Sequence, residues 1–233
     1  MPESWFVPLR LTAPVRPEYL HAAISRWFDV GTEDLPDRHH DTVKPYTISP
    51  LTERDGWGVE VSTLTAEASW RLATATRRPR PIALGRQRVD IGTPVRLASA
   101  SWAELAAAPR RRCWDIEFLA PTTFRTGQRA SPFPDPRVVL RGPQVCWETY
   151  SQRPVLLEPR QLRALWVAEV DLQTVQVPLR ATTVPAALGR IEIRCDDPTV
   201  ARQVSPLFAL APYCGVGSFR GKGFGVVRVS AAA

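Results

Sequence analysis

The sequence predicts an α+β fold made of two tandem ferredoxin-like (RRM-type) βαββαβ domains, and three observations lead there. Over the first half, alternating apolar runs and helical apolar stripes follow in the order strand, helix, strand, helix, strand, strand. The second half repeats that succession less cleanly. Leu20, Ile24, Trp27 and Phe28 also share their spacing with Val200, Val204, Leu207 and Phe208, as two equivalent helices would. A chain of 233 residues can supply two domains of about 100 residues, each with a core of its own.

Each element has its own signal. Trp5, Val7, Leu9 and Leu11 alternate and open the first domain as a strand. Pro17, tolerated in a first helical turn, starts the helix. A polar loop rich in Asp, Pro and His runs from about Gly31 to Lys44. Trp57, Val59 and Val61 alternate as the next strand, and 65–76 read as a helix. Ile82–Leu84 and Val89–Leu97 read as strands, broken by Gly85, Gly92 and Pro94. A short helix, Trp102 to Ala108, leads to Pro109-Arg110-Arg111-Arg112, read as a solvated linker. The domains are therefore expected at 1–110 and 111–233. Trp114, Ile116 and Phe118 open a strand, 137–150 is a helix, and 166–177 and 190–195 are strands. Asp197-Pro198 begins a helix ending near Ala211; Asp196 and Asp197 suit capping better than metal binding. Phe224–Val229 is the closing strand.

Composition narrows the function classes. The net charge of +7 and pI of about 9.8 favour a polyanionic partner. Only two of the 30 basic residues are Lys, Lys44 and Lys222; either these positions need a compact ammonium rather than a planar guanidinium, or the two are chance survivors of an arginine-rich composition. Cys113, Cys146, Cys195 and Cys214 form no C-x-x-C pair and lie far in sequence from His21, His39 and His40. Buried free thiols are expected rather than a zinc site. The opening residues have no leader pattern, and no apolar run is long enough to span a bilayer, so a cytoplasmic protein with no membrane partner is expected.

The segment 215–225, GVGSFRGKGFG, holds five glycines in eleven positions. A dinucleotide-binding loop needs them after a strand and before a helix, and here the order is reversed. A phosphate-cradling P-loop needs a Gly where Val216 stands and Ser or Thr where Gly223 stands. Both nucleotide loops are excluded. Two readings stay open: a backbone that closely approaches a phosphodiester chain, with Arg220 and Lys222 supplying charge, or a wide helix-to-strand turn.

Three motifs in one order resemble the CRISPR-associated repeat-processing endoribonucleases. Gly215, Gly217, Gly223 and Gly225 fit that family's G-x-G-x(5)-G-x-G. FLAPTTFR, Phe118 to Arg125, is similar to its F-x-[SA]-P-T-x-F strand end. The stretch from His40 to Leu51 is similar to its H-x(n)-K-P-[FY]-T-x-S-P-L. The resemblance spans positions 40 to 225 and implies two tandem ferredoxin-like domains, as read independently above.

It also implies metal-independent cutting of precursor crRNA, with no cofactor. The RNA's own 2′-hydroxyl attacks, leaving a 2′,3′-cyclic phosphate and a 5′-hydroxyl. That chemistry needs proton transfer at both oxygens and positive charge on the phosphorane. By motif position His40 is the general acid or base, with adjacent His39 the alternative, and Lys44 the phosphate stabiliser. Where some members place a helix tyrosine, this chain has Ser25, a poor proton carrier; His21 on the same helix reads as a capping or surface residue. Gly215, Gly217, Arg220, Lys222, Gly223, Gly225, Arg125 and Arg129 are the candidate RNA contacts. Arg77, Arg78, Arg80, Arg86 and Arg88 extend that track or simply face water. Repeat RNA is the implied partner, with other subunits of a CRISPR effector complex as candidates. The rival reading is a repeat-RNA-binding subunit that does not cut.

Overall fold

The computed structural model describes residues 1–13, 15–29, 43–77, 81–155, 157–179 and 182–232. His39, His40, Arg78 and Arg80 lie outside the described residues. The chain divides into two compact units, Met1–Ala100 with Gly221–Gly223, and Ser101–Arg220 with Phe224–Ala233. The division thus falls about ten residues before the boundary expected from sequence, and three residues of the glycine segment belong to the first unit.

The first unit contains β1 (Glu3–Arg10), α1 (Pro17–Ser25), β2 (Tyr46–Arg54), β3 (Gly56–Thr63), α2 (Ala66–Arg77), β4 (Ile82–Leu84), β5 (Gln87–Ile91) and β6 (Val95–Ser99). Its antiparallel sheet runs β2-β3-β1-β5-β4, with β6 also on β1. One edge of β1 pairs with β3 over Glu3–Pro8. The other meets β6 at Glu3–Phe6 and β5 at Leu9–Arg10. This is the ferredoxin-like strand order, its last position shared between β5 and β6. β2 escapes the sequence reading, which begins the hairpin only at Trp57. Val7, Leu20, Ile24, Phe28, Tyr46, Ile48, Val61 and Leu72 fill the core.

The second unit contains α3 (Trp102–Ala106), β7 (Cys113–Thr122), β8 (Phe124–Thr126), β9 (Arg129–Ser131), α4 (Pro136–Tyr150), β10 (Leu165–Leu179), β11 (Thr182–Cys195), α5 (Pro198–Cys214) and β12 (Val227–Ala231). The sheet order β10-β11-β7-β12 is again ferredoxin-like. Asp197 caps α5 through the backbone N–H groups of Thr199 and Val200, as its position suggests. Trp114 of β7 stacks on Phe208 of α5 at 4.3 Å, tying sheet to helix. The arginine run is solvated only in part: Arg110 and Arg112 are exposed, yet Arg111 and Arg112 are tied to the second unit. Arg112 donates from Nε to Cys195 O (3.0 Å), and Cys195 N donates back to Arg112 O (2.9 Å). Arg111 N reaches Ser205 Oγ at 3.3 Å. No described helix is long and apolar enough to cross a membrane.

Candidate functional site

Lys44 sits at the mouth of β2, where Pro45 separates it from Tyr46. Lys44 Nζ donates to Asp29 Oδ2 (3.1 Å) and Tyr46 Oη (2.8 Å), and Tyr46 Oη donates to Asp29 Oδ1 (3.0 Å). The Tyr46 ring stacks on Phe28 with centroids 4.2 Å apart, which fixes the phenol. The Ser25 hydroxyl hydrogen-bonds the same phenol. Burial works against the charge on Lys44, but Tyr46 and Asp29 outweigh it and the ammonium pKa is raised. Burial also raises the Tyr46 phenol, against the hydrogen bonds of Lys44 and Ser25. At neutral pH the pair is therefore an ammonium and a neutral phenol. The Lys44 side chain remains 35% exposed, within reach of an anion.

Gly221–Gly223 belong to this same unit. A Cβ placed on Gly221 would lie 3.6 Å from Lys44 Cδ. One on Gly223 would lie 2.5 Å from His21 Nε2 and 3.5 Å from the Pro50 nitrogen, so only glycine fits there. The motif around Lys44 and Pro50 thus meets the motif at Gly221–Gly223. His21 corrects its sequence reading: it is neither cap nor surface residue, being only 6% exposed. Its Nδ1 has no partner among the described residues. Desolvation, opposed by the Glu18 charge, lowers its pKa to about 4, so the imidazole is neutral. Lys222 is exposed.

The remaining glycine segment is laced to the end of β7. Leu119 N donates to Val226 O (2.9 Å), Gly225 N to Pro121 O (3.1 Å), and Ser218 N to Thr123 O (2.8 Å). FLAPTTFR and the glycine motif are therefore one hydrogen-bonded structure. Gly217 and Gly225 take φ of +70° and +71°. A Cβ there would lie 2.4 Å from Thr123 O and 2.0 Å from Val216 O, respectively. Both positions exclude a side chain. Gly215 and Gly223 are also left-handed.

Arg220, expected as a phosphate contact, turns one guanidinium nitrogen inward. Nη1 donates to Cys214 O (2.9 Å) and Cys146 Sγ (3.1 Å). The hydrogen bond from Cys214, helped by the Arg220 charge and opposed by burial, lowers the Cys146 pKa, while burial raises Cys214. The half-buried Arg220 guanidinium therefore rests against the Cys146 sulfur. Cys146, Cys195 and Cys214 are buried and free, with Cys113 free and partly exposed. Arg125 and Arg129 stand exposed on the β8–β9 hairpin, where Arg125 faces Ala130 and Arg129 faces Thr126.

Among the candidates, Ser25, Lys44, Lys222 and Gly223 lie in the first unit. Arg125, Arg129, Gly215, Gly217, Arg220 and Gly225 lie in the second. Asp29, Tyr46 and His21 were not singled out as site residues from sequence. Tyr46 was accessible to it, since residues two apart in an extended chain point to one side. Among the described residues, no group of three or more His, Cys, Asp or Glu side chains is placed to hold a metal ion.

Comparison with known proteins agrees with this architecture. Cas6 (TTHB231) of Thermus thermophilus, solved as a product complex, is 24% identical, with a TM-score of 0.83 over 99% of this chain and 100% of that one. A second Cas6 product complex (TTHA0078) is 21% identical, with a TM-score of 0.82 and the same coverage. A Cas6-related protein from Pyrococcus furiosus is 11% identical, with a TM-score of 0.64 over 99% of this chain and 98% of its own. At these identities the likeness establishes the fold. No curated protein matches the chain in sequence. Residues 116–227, just under half of the chain, include the FLAPTTFR segment and the whole glycine motif and match the model of the CRISPR-associated endoribonuclease Cas6.

Proposed function

We propose that this protein binds CRISPR repeat RNA and cuts precursor crRNA by attack of an RNA 2′-hydroxyl on the adjoining phosphorus. The products are a 2′,3′-cyclic phosphate and a 5′-hydroxyl, and no metal ion takes part. The observation carrying this reading is the shared position of the Lys44 ammonium and the Gly221–Gly223 backbone in one unit. The glycines let a phosphodiester chain approach closely. The ammonium, oriented by Asp29 and Tyr46, stabilises charge as the phosphorane forms. Proton transfer falls to His40, or to His39 beside it, only four or five residues before Lys44. An imidazole has the pKa range that proton transfer near neutral pH requires. The family match over 116–227 and the likeness to Cas6 product complexes support repeat RNA as the substrate.

The test is incubation of the protein with a precursor transcript in EDTA, followed by analysis of the ends. A single cut per repeat with a cyclic phosphate is expected. His40→Ala should abolish cutting and leave RNA binding intact. Tight binding without any cut, with or without added Mg²⁺, would instead make the chain a repeat-RNA-binding subunit. Cutting that requires Mg²⁺ would overturn the metal-free step.

A further inference from the structure

A cavity of about 630 Å³ opens in the first unit between α2 and the strands β1 and β5, away from Lys44. Its size is that of a ligand pocket, for which about 300–1,000 Å³ is usual. Two indoles, Trp5 and Trp70, line it together with the Arg77 side chain and the hydroxyls of Ser69, Thr76 and Thr93. Among the described residues, no carboxylate lines it directly. Trp70 is 66% exposed, on a helix whose buried contacts are made by Ala68 and Leu72. The fold of α2 therefore does not require an indole at this position. Near the same indoles, the Arg96 guanidinium lies 5.8 Å from the Trp5 ring centroid and pairs with Glu3, which also accepts from Trp5 Nε1.

We propose that this cavity receives an unpaired base of single-stranded RNA flanking the cut repeat, stacked against Trp70 with its phosphate toward Arg77. The inference rests on the RNA-processing reading for the identity of the ligand. The chemistry of the lining selects the occupant. An aromatic base offers a π-face to an indole whatever its sequence, and the attached phosphate meets the Arg77 side chain. Ser69 and Thr76 spend their hydroxyls on Thr63 and the Leu72 carbonyl, and the Thr93 hydroxyl can pair with the polar edge of a base. An apolar protein segment would cover the indoles but offer no counter-charge to Arg77.

The probe is a fluorescein-labelled octaadenylate, titrated by anisotropy into the full-length protein. Trp70→Ala should weaken binding about 5- to 100-fold, the range for loss of one base–aromatic stack. Trp70→Phe should recover most of it. Cutting of a repeat RNA without flanking nucleotides should stay within about twofold of wild type, since this cavity lies outside the proposed cutting site. Equal octaadenylate affinity of wild type and Trp70→Ala overturns the proposal, as does a wild type that cuts repeat RNA yet does not bind octaadenylate. A dimer that Trp70→Ala converts to monomer, with octaadenylate binding unchanged, also overturns it and makes a second copy the occupant. Failure of the wild type to bind or cut any repeat RNA would instead remove the proposed function, and the octaadenylate comparison would still decide this cavity on its own.

Discussion

Lys44 is one of two lysines among 30 basic residues, and its surroundings account for the choice. Its ammonium directs two donors at Asp29 and Tyr46 and keeps a third for an incoming anion. A guanidinium fork would spread its charge over a larger plane. Lys44→Ala should lower single-turnover cleavage about 100- to 1,000-fold, the usual cost of losing a charge stabiliser, with repeat affinity changed far less. His21 makes a second residue-scale prediction. Its folded pKa of about 4 lies below the ordinary 6.5, so the unfolded chain binds the proton first as pH falls. Stability is full above about 6.5 and is lost down to about 4, on the order of 3 kcal/mol. His21→Gln should flatten that part of the acid dependence in denaturant titrations at stepped pH. Scarcity and motif made Lys44 legible in the sequence. Asp29 was not, because a lone acid after a helix carries no pattern. His21 left a fainter trace, standing three residues before Ile24 and seven before Phe28 on the buried helical face.

Two elements carry the site, and they differed in how far sequence could reach them. The glycine segment was legible because its composition is extreme. Its pairing with FLAPTTFR was not, since hydrogen bonds from Gly225 and Ser218 to Pro121 and Thr123 carbonyls leave no mark on side-chain patterns. Gly225→Ala puts a Cβ 2.0 Å from the Val216 carbonyl in a left-handed backbone. It should cost about 2–4 kcal/mol, read as a lower denaturant midpoint with unchanged slope. β2 was missed because Pro50 interrupts it, and proline removes a ladder donor. The structure accommodates Pro50 in two ways. β2 is the edge strand of its sheet, and its register with β3 shifts between Ile48 and Leu51. The arginine run was read only in part: charge suggested solvent, and Arg112 is exposed, yet it also donates to carbonyls at the end of β11 and just beyond it.

On the scale of the whole molecule, the net charge of +7 sets the response to salt. Repeat affinity should fall as a straight line of log K against log salt. Arg125→Ala and Arg129→Ala should each flatten that slope by about one if each meets a phosphate, and leave it unchanged if it faces only water. The tandem architecture followed from apolar periodicity and from the matching stripes of α1 and α5. The membership of Gly221–Gly223 in the first unit had no such signature, because three residues far along the chain join a unit built otherwise from the first hundred. That arrangement has a consequence for synthesis. While the ribosome is still translating, the first hundred residues emerge without the glycines that pack on His21 and Lys44, and these arrive only after residues 101–220 have been made. A message truncated before that point would yield a protein with most of its first unit and without the glycine backbone on which the proposed cutting depends.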